Sequence, residues 1–142
     1  MSPVADLQPA ILRKMGLRIL PKPRSGGRIL DDLIGYSLRG TPRGRAANLI
    51  GWANANATPV LSLDVPSGFD AQTGKGSAVM MRAAATLTLA LPKRGLSAPG
   101  IRGVVGDLYL ADISVPPQLY EQLTRLMLVP PFAAGDILRL GN

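Results

Sequence analysis

A chain of 142 residues, 46% hydrophobic and 18% charged, has room for one packed domain and is too apolar for a disordered segment. It has no cysteine and no histidine. That excludes disulfides, thiolate and imidazole metal sites, and any nucleophile–histidine catalytic pair. Acid–base chemistry falls to Glu121, eight aspartates, the tyrosines, the lysines or water. No apolar run reaches the roughly 18–20 residues of a membrane span. The first 28 residues carry six Lys/Arg against Asp6, with an amphipathic stretch at 11–20. A mitochondrial transit peptide has that balance but more serine, so the cytoplasm is the expected compartment.

The net charge of +7 is uneven: residues 1–48 hold nine bases and three acids, leaving +6 there. Twelve of the sixteen bases are Arg, whose fork suits phosphate and carboxylate. This is either solubilising surface charge or the footprint of an anionic ligand such as a nucleotide, or of RNA. The six aromatics do not interleave with the bases, which argues against stacked single-stranded RNA.

In chain order, residues 8–15 read as a short helix ended by Gly16, and 17–20 as a strand. After the PKPRSGG loop, 28–34 read as a second strand with Asp31 and Asp32 near its end. The loop GYSLRGTPRGR follows, and Pro42 suits the first position of the next helix. Helical spacing of Leu49, Ile50, Ala53 and Ala57 predicts that helix over 45–56. Residues 60–65 read as a buried strand and PSGFDAQTGKG as a long turn. A short helix at 78–85, a strand at 86–91, a loop at 92–103 and a strand at 104–113 come next. Last are a helix at 117–127 and a short strand near 137–140.

Strands alternating with helices predict an α/β domain around a mostly parallel sheet. Ligands of such sheets bind beyond the carboxyl ends of the strands. Three features fall there: Asp31-Asp32 with the loop after them, Asp64 with its Pro66-Ser67-Gly68 turn, and the loop at 92–95. Asp64 is either a partly desolvated acid–base group or an acceptor for the N–H groups of its own turn. Asp31 and Asp32 point to opposite faces of a strand, so only one can join Asp64. A buried acid there needs a cation, an Arg or a turn to cap. The loop with Arg39, Arg43 and Arg45 at a helix start is either a phosphate seat or a generic basic loop. Ser67, with no histidine to activate it, suits an oxygen ligand or a turn former.

The blocks ILDDLIGYSLRG–TPRG, PVLSLDVPSGFDAQTG, ATLTLALPKRGL and GDLYLADISVPP, in this order, resemble the YjeF N-terminal domain, the NAD(P)H-hydrate epimerases. The resemblance runs from about residue 8 to 123. It implies a Rossmann-like three-layer α/β/α domain with a mostly parallel sheet, commonly a homodimer. The implied activity interconverts the R and S forms of NADHX and NADPHX, with an ATP- or ADP-dependent dehydratase as pathway partner. It also implies a potassium ion held by Asp31 and Ser67. The substrate loop maps onto Gly35, Tyr36, Ser37, Leu38, Arg39, Gly40 and Thr41, and the substrate-binding, catalytic aspartate onto Asp64. The family's glycine-rich NNGGDG-type segment has no counterpart here, so the expectation is a domain over 1–128 lacking its N-terminal part, with 129–142 a tail or the start of a linker. A non-catalytic scaffold that binds a nucleotide-like ligand, RNA or a protein, as in the decapping and apolipoprotein-binding relatives, is the alternative. Retention of Asp31, Asp64 and Ser67 favours the enzyme.

Overall fold

The computed structural model describes residues 3–24, 26–36, 40–116, 118–119, 132 and 135–141. The elements are α1 (Pro3–Lys14), β1 (Ile29–Asp31), α2 (Gly44–Asn54), β2 (Val60–Leu63), β3 (Phe69–Asp70), β4 (Lys75–Gly76), β5 (Ala85–Leu89), α3 (Arg102–Val105), β6 (Asp107–Ala111) and β7 (Ile137–Leu140). A 3₁₀ turn, Arg94–Ser97, precedes α3. Five strands form one sheet in the order β1-β2-β5-β6-β7, and β3 and β4 make a separate two-stranded ribbon. All pairings in the large sheet are parallel except β6 with β7. The predicted α/β architecture with a mostly parallel sheet is therefore present.

Register explains which face is buried. Asp31 pairs with Ser62, Ser62 with Thr86, Thr86 with Leu108, and Leu108 with Leu140, so these five side chains share one face. Asp31, Ser62, Thr86 and Leu108 are all at most 1% exposed. α2 packs there through Ile50 and Ala53, against Val60 and Met81. Val105, Leu96, Phe69 and Val65 close over Leu108 farther along the same face. The opposite face carries Leu30, Leu61, Leu63, Leu87 and Leu89, with Leu30 and Ile137 more than half exposed. Leu61, Leu63, Leu87 and Leu89 there are half-buried. The helix expected at 117–127 lies outside the described residues except for Gln118 and Leu119, which are helical.

Three local expectations need correction. Residues 17–20 form no strand among the described residues, and Leu17 and Ile19 are exposed; a four-residue segment without a neighbouring strand cannot satisfy its backbone by pairing. Residues 78–84 are irregular rather than helical. Their N–H groups are claimed from outside: Met81 donates to Ser67 O, Arg82 to Asn54 Oδ1, Ala83 to Val104 O and Ala84 to Val60 O. The close approach of this segment requires Gly68, at φ +92°, where a Cβ would lie 2.3 Å from Val79 O. Finally, Pro42 stands ahead of α2 rather than at its first position, because Arg43 is the N-cap residue.

Leu110 is fully buried and Leu30 is 62% exposed on the open face. In urea titration Leu110→Ala should lower the free energy of unfolding by about 2–5 kcal/mol. Leu30→Ala should change it by less than about 0.5 kcal/mol.

Candidate functional site

The site is built on the carboxyl ends of β1, β2 and β5. The chain leaves β1 at Asp31, whose carboxylate is 1% exposed and turned inward, while Asp32 is exposed. This is the split that strand alternation predicts. Asp31 Oδ2 accepts from Ser62 Oγ at 2.8 Å and from the Ser67 N–H at 2.9 Å, and Oδ1 accepts from Ser67 Oγ at 2.6 Å. Ser67 Oγ in turn accepts the Ile34 N–H at 2.9 Å, and Ile34 O lies 3.4 Å from it. A buried carboxylate, a hydroxyl and a carbonyl thus converge where β1 hands over to the following loop. Among the described residues no Lys or Arg pairs with Asp31.

Asp64 follows β2 with φ +64°, a left-handed conformation unusual for a residue with a side chain. Its N–H donates to Leu87 O on β5 at 2.8 Å, and the Val65 N–H closes a tight turn back to Leu63 O at 2.8 Å. The carboxylate does not cap its own turn. It pairs with Lys93 Nζ, and the Leu89 N–H approaches Oδ1 at 3.4 Å. Both side chains are under a quarter exposed.

Of the residues that the resemblance maps onto a substrate loop, Gly35, Tyr36, Gly40 and Thr41 are exposed, and Ser37, Leu38 and Arg39 lie outside the described residues. Tyr36 Oη accepts from Gln72 Nε2 at 2.7 Å, which ties the loop to the β3–β4 ribbon. Arg45 donates to Pro21 O at 3.2 Å and so braces the preceding loop. Arg43 makes no capping bond, leaving the first-turn N–H groups of α2 without a side-chain acceptor from it. The ribbon owes its shape to Asp70, which accepts from Thr73 Oγ1 and the Gln72 N–H, both at 2.8 Å. Those bonds, the Thr73 hydroxyl first, hold the Asp70 carboxyl below its ordinary value of 3.8.

The sequence reading missed Ser62, Gln72 and Lys93. Ser62 is a polar residue inside an apolar strand, which is itself a signal of a buried polar partner. Lys93 lies in the loop at 92–95 that had been placed at a strand end, but nothing local links it to Asp64, 29 residues earlier.

A mostly parallel sheet with Asp31, Ser67 and Asp64 gathered at its strand ends is the α/β arrangement in which ligands bind beyond the carboxyl ends of the strands. Residues 1–95 match the family described as YjeF-related protein N-terminus, and the chain belongs to that family. It is 40% identical to the NAD(P)H-hydrate epimerase of Dehalogenimonas lykanthroporepellens over 99% of this chain and 57% of that protein. It is 48% identical to the NAD(P)H-hydrate epimerase of Truepera radiovictrix over 66% of this chain and 41% of that one. The bifunctional NAD(P)H-hydrate repair enzyme Nnr of Escherichia coli is 34% identical, over 73% of this chain and 20% of the enzyme. The chain spans about half the length of the first two relatives. The crystal structure of yeast ynu0 shares the fold at a TM-score of 0.62 and 23% identity, over 80% of this chain and 46% of that one.

Asp31→Ala removes the acceptor for three donors from Ser62 and Ser67. With each stranded donor costing about 1–3 kcal/mol, the variant should be among the least stable single substitutions in a urea series. For Asp70, stabilisation is complete above pH 3.8 and fades as pH falls through the lower value of the folded state. Amide exchange at Gln72 and Thr73 should accelerate over that acid range, and Asp70→Asn should remove the pH dependence.

Proposed function

We propose that this domain is an NAD(P)H-hydrate epimerase, interconverting the R and S forms of NADHX and NADPHX. The observation that carries the reading is Asp64: a partly buried carboxylate at a parallel strand end, within the stretch that matches the family, beside the Asp31–Ser67 cluster. The names of the relatives supply the substrate class. Asp64 hydrogen-bonds the hydrated nicotinamide ring. As the acid, it protonates the hydroxyl on C6 so that it leaves as water. As the base, it takes a proton back when water adds to the other face, so no net proton is consumed.

Potassium fits the residues present. Asp31, Ser67 and the Ile34 carbonyl offer only oxygen donors, which suit a hard cation. A cation there neutralises a carboxylate that no described Lys or Arg pairs with, and Asp31 and Ser67 are its expected ligands. Gly35, Tyr36, Gly40 and Thr41 are expected to line the substrate, and Arg43 with the open start of α2 suits its pyrophosphate. The S form passes to a dehydratase, consistent with relatives named as bifunctional repair enzymes. A homodimer is compatible with the open apolar sheet face, because assembly would cover part of it.

With R-NADHX as substrate and the epimers separated chromatographically, Asp64→Asn should reduce interconversion to the spontaneous rate while ligand binding stays measurable. Unchanged turnover in that variant would remove the acid–base role. Replacing potassium by choline should weaken substrate binding or turnover, and no change would remove the cation from the account.

A further inference from the structure

We propose that Lys93 is the positioning residue for Asp64, so that the reacting carboxylate is one half of a side-chain pair; this rests on the epimerase reading. The neighbouring strands β2 and β5 end in the same device. After β2, Asp64 has φ +64° and the Val65 N–H donates to Leu63 O at 2.8 Å. After β5, Ala90 has φ +64° and the Leu91 N–H donates to Leu89 O at 2.7 Å. Each is a three-residue turn with its centre at positive φ, the rare and strained kind, held at a residue other than glycine. Strain of that sort persists only where surrounding contacts over-determine it.

Lys93 is the contact common to both turns. Its ammonium pairs with Asp64 Oδ1 and donates to Leu89 O at 2.8 Å, the same carbonyl that closes the second turn. The Leu89 N–H approaches Asp64 Oδ1 at 3.4 Å from the same strand end. One cation therefore stitches the reacting side chain of β2 to the backbone of β5. The lysine stem is itself fixed from behind. Lys93 is the N-cap residue of the 3₁₀ turn, its carbonyl accepts the Leu96 N–H at 2.9 Å, and Gly95 donates to Ala71 O at 2.7 Å. A Cβ at Gly95 would lie 2.5 Å from Ala71 O, so this loop has one place to sit.

On its other side Lys93 lines a cleft of about 270 Å³ with Tyr36, Ala71, Gln72 and Arg94. The ammonium thus stands between Asp64 and the rim that carries the start of the substrate loop. Without it, a carboxylate only 23% exposed would lose its charged partner and turn toward solvent. Lys93 acts through Asp64 and is not itself the proton carrier.

The test uses the whole chain, R-NADHX and potassium, with Lys93→Met and Lys93→Arg beside the wild type. In Lys93→Met, kcat should fall about ten- to a hundredfold with KM changed less than about threefold, the pattern of an interaction that matters in the transition state. Lys93→Arg, which keeps the charge but cannot release a proton, should recover most of that loss. Three outcomes overturn the proposal while leaving the epimerase reading intact: wild-type kcat in Lys93→Met, a loss confined to KM, or an Arg variant as slow as the Met variant. The last would make Lys93 a proton carrier instead. A wild type without turnover fails the epimerase reading itself and takes this one with it. If Lys93→Met does not fold by circular dichroism, the Arg variant decides alone: turnover within about threefold of wild type upholds positioning, and a loss of tenfold or more overturns it.

Discussion

Asp31 is the carboxylate on which the local architecture turns. It sits at the end of the edge strand β1, yet it is nearly inaccessible and takes hydrogen bonds from both Ser62 and Ser67. Those bonds fasten β1 to β2 and bring the PSG turn back over the strand ends. Met81 then docks on Ser67 O, and the irregular run that follows leads into β5. A polar group at that depth would be costly without partners, and here every partner belongs to an element that shapes the crevice. The same corner offers only oxygen donors, the chemistry that the proposed potassium site calls for.

Asp64 is set apart from Asp31 by its environment. Asp31 is surrounded by neutral donors, Asp64 by a cation. Two carboxylates at adjacent strand ends thus sit in different surroundings, one enclosed by hydroxyl and N–H donors and the other paired with a lysine that lines a cleft. The left-handed conformations at Asp64 and Ala90 show that the strand ends are held by cross-links rather than by local preference.

Much of this was legible in the sequence. Apolar runs separated by Gly/Pro turns located β2, β5 and β6, and helical spacing located α2. Alternation in β1 sends Asp31 and Asp32 to opposite faces, and the family resemblance, not the alternation, singles out Asp31. Position at a strand end singled out Asp64. What failed was decided by distant partners. The stretch 78–84 has a helical composition, but Ser67, Asn54, Val60 and Val104 take its N–H groups in other directions. Lys93 carries no local pattern because its role depends on two strands lying side by side. The strained turn at Ala90 was equally invisible, since alanine does not advertise a positive φ.

Epimerisation by the strand-end cluster of Asp31, Ser67, Asp64 and its lysine partner is open to direct assay. The most direct measurement couples the purified chain to a dehydratase with ATP, supplies R-NADHX and potassium, and follows the return of NADH absorbance. The expected result is a rate above that of the spontaneous reaction, dependent on the amount of chain added. A folded, soluble preparation that adds nothing to the spontaneous rate would contradict it.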